Sequence, residues 1–213
     1  MKTKKKTILI CVAGGTGSGK TTICREIKKV LPKSVKSQLL CLDSFYLQSL
    51  SKKRQNKSHT NINFDHPNSF DWNLLYNTIS KVINGSSAII PVYDYKKSSS
   101  VNGKKRIFPC DVIILEGILS LYDKKINSLA DVKIFIDTPD DERFIRRLLR
   151  DCNERGRSLD NVIKQWRHVV KPMHKMFISP QKQNADIIIP WYSMNDVAIK
   201  AIKAAINDLI KDK

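Results

Sequence analysis

The stretch Thr7-Ile8-Leu9-Ile10-Cys11-Val12-Ala13-Gly14-Gly15-Thr16-Gly17-Ser18-Gly19-Lys20-Thr21-Thr22 decides the fold. An apolar run of strand length gives way to glycines, and a helical pattern begins at Lys20. Gly14 to Thr21 fits G-x-x-x-x-G-K-[ST] at every fixed position, between the strand and the helix that a phosphate-binding P-loop requires. Glycines let backbone N–H groups curl around phosphate oxygens, and the helix N-terminus adds positive potential. Lys20 is the point charge for the β- and γ-phosphates, and the Thr21 hydroxyl is placed for Mg²⁺. Gly14, Gly15, Thr16, Gly17, Ser18, Gly19, Lys20, Thr21 and Thr22 are thus the candidate residues for binding a nucleoside triphosphate. The dinucleotide pattern G-x-G-x-x-G is not met, because Lys20 stands where its last glycine belongs.

Outward from this loop, apolar runs alternate with helical patterns. Residues 7–13, 38–42, 88–92, 111–115, 132–136 and 186–189 read as strands, mostly continuous runs of the kind buried on both faces. Helices are expected near 20–31, 71–84, 117–129, 139–153, 158–170 and 194–211. The alternation implies one α/β domain over residues 1–213, with a parallel sheet wrapped by helices. Residues 1–6 read as a basic tail. The irregular segments 44–70 and 93–107 follow predicted strands, so they should emerge at the edge of the sheet where ligands of open α/β sheets bind.

The 213 residues carry 38 Lys or Arg against 20 Asp or Glu, a formal charge of +18. Such a balance attracts polyanions in general. Yet 13 of the cations lie in acid-free stretches 1–6, 49–60 and 96–106, which read as solvated tails and loops rather than as a specific nucleic-acid surface. Five dispersed cysteines and four dispersed histidines show neither a disulfide framework nor a zinc-ligand rhythm. No apolar run approaches the ~20 residues of a membrane span, and the short run behind the basic start is a first strand rather than a secretion signal. The expectation is a soluble cytoplasmic protein.

Two acids end apolar strands, Asp43 after Leu42 and Glu116 after Leu115. Beside a P-loop, a carboxylate at the carboxyl end of a strand can hold Mg²⁺ or accept a proton from an attacking hydroxyl. Their spacing does not say which does which. Arginine is also unevenly placed: residues 143–157 contain six Arg and no Lys, in a chain with 28 Lys and 10 Arg. That switch suggests sites needing a planar bidentate donor. Arg143, Arg146, Arg147 and Arg150 share one helix face, with Ile145, Leu148, Leu149 and Cys152 as the expected packed side. A solvated basic face, partly paired with Asp140 and Glu154, accounts for Arg143. Arg155 and Arg157 flank Gly156 beyond the helix, so 143–157 reads as an arginine helix and lid that closes over phosphates. A lid that excludes water favours a kinase.

These residues resemble the uridine–cytidine kinase family. The P-loop, Asp43-Ser44-Phe45-Tyr46, Asn63-Phe64-Asp65-His66-Pro67, Pro91-Val92-Tyr93-Asp94-Tyr95, Glu116-Gly117-Ile118, Arg150-Asp151, Glu154-Arg155-Gly156-Arg157, Lys171-Pro172-Met173-His174 and Ala185-Asp186-Ile187-Ile188-Ile189-Pro190 follow in the family's order. The resemblance implies a P-loop kinase fold with a five-stranded parallel sheet. It further implies transfer of the ATP γ-phosphoryl group to the 5′-hydroxyl of uridine or cytidine, in pyrimidine salvage. Asp43 would be the general base, with Lys20, Arg150, Arg155 and Arg157 serving the transferring phosphate. Thr21, Glu116 and Asp43 would organise Mg²⁺. Asp43, Tyr46, Phe64, Asp65, Tyr93, Tyr95, Ser98, Arg147 and Gln165 would bind the nucleoside, and the chain would assemble as a homotetramer.

One position departs from the family. Three residues after the last aromatic of Tyr93-Asp94-Tyr95, where the family commonly has a histidine that reads the pyrimidine edge, this chain has Ser98. Serine is shorter and never cationic. The choice between uridine and cytidine therefore stays open, as does a related kinase acting on another small alcohol. A nucleic-acid-binding ATPase is a more distant alternative, resting on charge alone.

Overall fold

The computed structural model describes residues 7–47, 63–94, 99–193 and 195–211. Five strands form a parallel sheet: β1 (Ile8–Gly14), β2 (Ser37–Cys41), β5 (Val112–Glu116), β6 (Val132–Asp137) and β7 (Ile187–Pro190), in the order β2-β5-β1-β6-β7. β1 is central, with Ile10 level with Ile114 on one side and Val132 on the other. Its side chains alternate between two cores. Leu9, Cys11 and Ala13 join the layer of α2 (Trp72–Ile83) through Leu75, Ile79 and Val82. Ile8, Ile10 and Val12 join the opposite layer of α1 (Lys20–Val30) and α6 (Asp196–Lys211). Burial on both faces explains why these strands read as unbroken apolar runs.

The two ends of the sheet use carboxylates differently. At the amino edge, acids accept from backbone N–H groups: Asp131 from Leu9 at 2.8 Å, Asp111 from Lys36 at 2.9 Å and Asp186 from Lys133 at 2.8 Å. At the carboxyl edge lie the P-loop, Asp43 and Glu116. That edge is where an open α/β sheet binds its ligand.

Residues 88–92 form a strand as expected, but not one of the parallel sheet. They begin β3 (Ala88–Asp94), which lies outside the parallel sheet and pairs antiparallel with β4 (Ser99–Ile107). Within the segment 93–107, residues 99–107 are therefore a strand. β3 is buried on one face only: Ala88 and Ile90 enter the core while Ile89 is 52% exposed. The helix expected over 117–129 is confined to α3 (Lys124–Leu129), whose start is capped by Asp123. α4 (Asp140–Asn153) and α5 (Leu159–Gln165) form as expected.

Beyond α5 the helical backbone continues, through Val170 as the sequence pattern expects and past it to Asn184, which the pattern does not announce. It runs as π turns at Trp166–Val170 and His174–Ile178, separated by Lys171–Met173, and ends in a 3-10 segment at Ser179–Asn184. Pro172, lacking an N–H, stands between the two widened turns. This run buries one side of His174, whose Nδ1 has no hydrogen-bond partner among the described residues.

Burial, reinforced by the Arg143 cation, pushes His174 from the ordinary 6.5 down to about 4. Between those values the unfolded chain binds more protons than the folded one. The contribution of His174 to stability therefore declines as pH falls from 6.5 toward 4. Asp65 and Glu116, both raised by burial, contribute with the opposite sign. His174→Gln should flatten the loss of stability across that acid window relative to the parent chain, as read by urea denaturation at a series of pH values; parallel profiles would refute it.

Candidate active site

The P-loop forms because β1 delivers its glycines directly onto the first turn of α1. Gly17 has φ 75°, a left-handed conformation that costs a side-chain-bearing residue about 1–2 kcal/mol. A Cβ there would also collide with the carbonyl oxygen of Arg143. Gly15 packs on the Arg143 guanidinium, and Gly19 packs on the indole of Trp191. The Thr138 hydroxyl lies 2.9 Å from the Ser18 carbonyl and 3.1 Å from that of Trp191, pinning the loop to the ends of β6 and β7. Thus Thr16 to Thr22 line a cleft, while Gly14 and Gly15 form the support beneath it.

Lys20 donates to the Gly15 carbonyl at 2.8 Å, and the Thr21 hydroxyl donates to Glu116 Oε2 at 2.8 Å. Burial lowers the Lys20 pKa, opposed by the negative charges of Glu116 and Asp43. The same burial raises Glu116, opposed by the Thr21 hydrogen bond and by Lys20. These groups share one low-dielectric chamber with Asp43, held in the 3-10 turn Leu42–Phe45 just beyond β2. Hydroxyl and carboxylate oxygens are the donors Mg²⁺ prefers, and this ion typically takes only one or two carboxylates, with phosphates and water completing its shell.

The cleft also has an aromatic wall. Tyr46 meets Phe70 at 4.5 Å between ring centroids, Phe64 at 5.1 Å and Tyr93 at 5.2 Å. A bridge between Tyr46 and Phe70 fixes the wall's backbone. Asp65 lies beside it, its pKa raised by burial against the pull of Arg147. Arg147 donates to Thr16 Oγ1 at 3.0 Å and to Gln165 Oε1 at 2.8 Å, joining the P-loop to α5.

α4 inverts the expected amphipathicity. Ile145 and Leu149 are 49% and 57% exposed, whereas Arg143, Arg147 and Asp151 are buried. Arg143 is not part of a solvated face: it is 1% exposed beneath the P-loop, donating to the Thr138 carbonyl at 3.1 Å and to Asp140. Its guanidinium lies 5.3 Å from the centroid of the Trp166 ring. The helix turns its charged side inward because polar groups there, the loop backbone and neighbouring carboxylates, satisfy guanidinium donors that an apolar core would leave unpaired.

One cleft of about 1740 Å³ gathers Lys20, Asp43, Tyr46, Asp65, Glu116 and Arg155 from across the chain. Single-ligand pockets span roughly 300–1,000 Å³, so this cleft has room for two reactants. Phe64, Tyr93, Arg147, Arg150, Arg157 and Gln165 also line it. Tyr95 and Ser98 lie outside the described residues. Sequence reasoning missed three contributors: Arg143 and Trp191 as supports of the loop, and Asp151 among the arginines. Their only local signal was an arginine with an acid three residues before it, an aromatic after a strand, and an acid inside the arginine run.

Two glycines test the loop's packing. Gly156 has φ 66° but nothing within 4 Å of an added Cβ, so Gly156→Ala should cost only the conformational term of about 1–2 kcal/mol. Gly17→Ala must in addition displace the Arg143 backbone, and should cost more than about 3 kcal/mol. Equal losses in urea denaturation would contradict the packing of Arg143 under the loop.

Comparison with known proteins agrees with this geometry. Residues 9–198 match the model of the Phosphoribulokinase / Uridine kinase family. A uridine kinase of Ureaplasma parvum serovar 3 is 44% identical over 207 residues, covering 96% of this chain and 98% of that protein. A uridine kinase of Halalkalibacterium halodurans is 44% identical over 210 residues, covering 98% of each. Among solved structures, the phosphoribulokinase of Rhodobacter spheroides superposes with a TM-score of 0.61 at 16% identity, covering 87% of this chain and 70% of that one. The D-glycerate 3-kinase of Cryptococcus neoformans gives 0.57 at 14%, covering 87% and 82%. At such identities the structures speak for the fold alone. The family match spans nearly the whole chain, loop and arginine helix included, and by it this chain belongs to the phosphoribulokinase/uridine kinase family.

Proposed function

We propose that the chain transfers the γ-phosphoryl group of ATP to the 5′-hydroxyl of uridine or cytidine, with Mg²⁺, as a cytoplasmic homo-oligomeric enzyme. The observation that carries this reading is the two-sided cleft. Its P-loop side offers Lys20 and backbone N–H groups to phosphates, and its aromatic side offers Tyr46, Phe64 and Tyr93 to a planar base. Asp43 lines the same cleft, and its charge acts on both Lys20 and Tyr46. The names of the relatives at 44% identity support the choice of nucleoside.

In this reading the aromatic wall holds the base by its faces, and Asp65, Arg147 and Gln165 orient the sugar. Asp43 accepts the proton of the 5′-hydroxyl as its oxygen attacks the γ-phosphorus, with the β-phosphate leaving on ADP. Thr21 and Glu116 would hold Mg²⁺, which when bound supplies neutralisation of phosphate charge. Lys20, Arg150, Arg155 and Arg157 stabilise the negative charge spread over the transferring group's oxygens. Phosphoryl transfer depends almost wholly on such positioning and charge.

A panel of uridine, cytidine, deoxynucleosides, purine nucleosides and unrelated alcohols, assayed with ATP in the presence and absence of Mg²⁺, tests the proposal. Selective, Mg²⁺-dependent 5′-phosphorylation of uridine or cytidine is expected. Folded protein that binds ATP but yields no nucleoside product would reject the acceptor. Asp43→Asn should keep ATP binding and lose about 10²–10⁴-fold in turnover. Near-normal turnover in that variant would remove Asp43 from the role of base.

A further inference from the structure

Asp151 has no part in the steps above, yet it is the most heavily paired carboxylate among the described residues. Its side chain is 1% exposed. Oδ1 accepts from Arg150 Nε at 3.0 Å, Arg150 Nη2 at 2.8 Å and Arg155 Nη1 at 3.2 Å. Oδ2 accepts from Arg157 Nη1 at 3.3 Å and lies 3.5 Å from Arg147 Nε. The Asp151 carbonyl also accepts from the Arg157 N–H at 3.1 Å, folding the segment after α4 back over the carboxylate. A second acceptor, Gln165 Oε1, takes Arg157 Nη1 at 2.6 Å.

The arrangement has a direction. All four residues line the cleft, but Asp151 is buried in its wall, while Arg150, Arg155 and Arg157 are partly exposed. A guanidinium has five N–H donors in a rigid fork. Arg150 directs two of its nitrogens at Asp151, and Arg155 and Arg157 one each. Four cations around one carboxylate leave the cluster with excess positive charge. Without that carboxylate they would repel one another at short range. Burial alone would raise the pKa of Asp151, but Arg147 and Arg150 above all outweigh it and hold it below the ordinary carboxylate value, so it is an anion at neutral pH.

We propose that Asp151 is a positioning residue, an internal counter-anion that clusters Arg150, Arg155 and Arg157 at the cleft and competes with nucleotide phosphates for them. Its competition keeps the resting cluster compact and weakens the hold on phosphate, so that the diphosphate product can leave. The proposal rests on the reading that these arginines face phosphates.

Inorganic tripolyphosphate, titrated calorimetrically at two salt concentrations, probes the competition without any nucleoside. Asp151→Asn, which keeps shape and removes charge, should bind it about tenfold more tightly, with a steeper salt dependence. The same variant should show a lower KM for ATP together with a lower kcat, and Asp151→Glu should restore both toward the parent. A purely structural role would instead weaken binding and turnover together. Unchanged or weaker tripolyphosphate binding by Asp151→Asn overturns the proposal. Arg155→Ala separates the two layers of the argument. If it leaves tripolyphosphate affinity unchanged, the arginines do not face phosphate, and both the reading and the proposal fail. If it weakens affinity while Asp151→Asn changes nothing, the phosphate-facing reading stands and the role of Asp151 fails. Should Asp151→Asn not fold, Asp151→Asn with Arg155→Ala, which removes a cation along with the anion, should recover folding and the parent melting temperature; failure to do so refutes the charge balance.

Discussion

A buried cation under the phosphate loop is the constraint on which the rest of the site depends. Arg143 touches Gly15 with its guanidinium and faces Gly17 with its backbone carbonyl, so the loop rests on α4 as well as on its own β1–α1 frame. Burial lowers its pKa, and Asp140 is the chief influence opposing that. Its Nη1 has no hydrogen-bond partner among the described residues. Such a group is costly to bury. It is tolerated here beside the Thr138 carbonyl, Asp140 and the face of Trp166.

Because Arg143 fixes the rotation of α4, it also fixes where the next inward residues point. Arg147 arrives one turn later against Thr16 and Gln165, and Asp151 one turn after that, in the midst of the arginines. The loop that would hold the donor is thereby packed against the helix that carries Arg147 and Arg150. The same rotation turns Ile145 and Leu149 toward solvent. Polar satisfaction offsets the lost apolar burial on this helix: each unpaired buried donor costs about 1–3 kcal/mol, comparable to the ~1.5–3 kcal/mol from burying a leucine.

Strand-end chemistry was legible early because a parallel sheet puts all its carboxyl ends at one edge. Asp43 and Glu116 could be placed beside the loop from their positions after apolar runs, and Thr21 bonded to Glu116 bears out that proximity. The acids at 111, 131 and 186 precede strands and cap backbone N–H groups at the far edge. The aromatic wall was legible only through resemblance. Tyr46, Phe64 and Tyr93 lie on three separate segments and carry no shared periodicity. The strand at 88–92 misled because an apolar run does not reveal its partners: Ile89 faces outward, and pairing with β4 removes β3 from the parallel sheet.

By itself the sequence determined the phosphate loop, the strand–helix alternation and the identity of the strand-end acids. Each is encoded within a few residues, where glycine content, apolar runs and capping groups act locally. Tertiary structure alone decided which face of α4 is buried, that Trp191 closes on Gly19, and that Asp151 gathers four arginines. Those outcomes rest on contacts such as Arg147 with Thr16, 131 residues apart in the chain. A helix carrying both an apolar and a charged stripe can be buried by either. Only the groups waiting on the other side, here a polar loop and carboxylates rather than an apolar surface, determine which stripe turns inward.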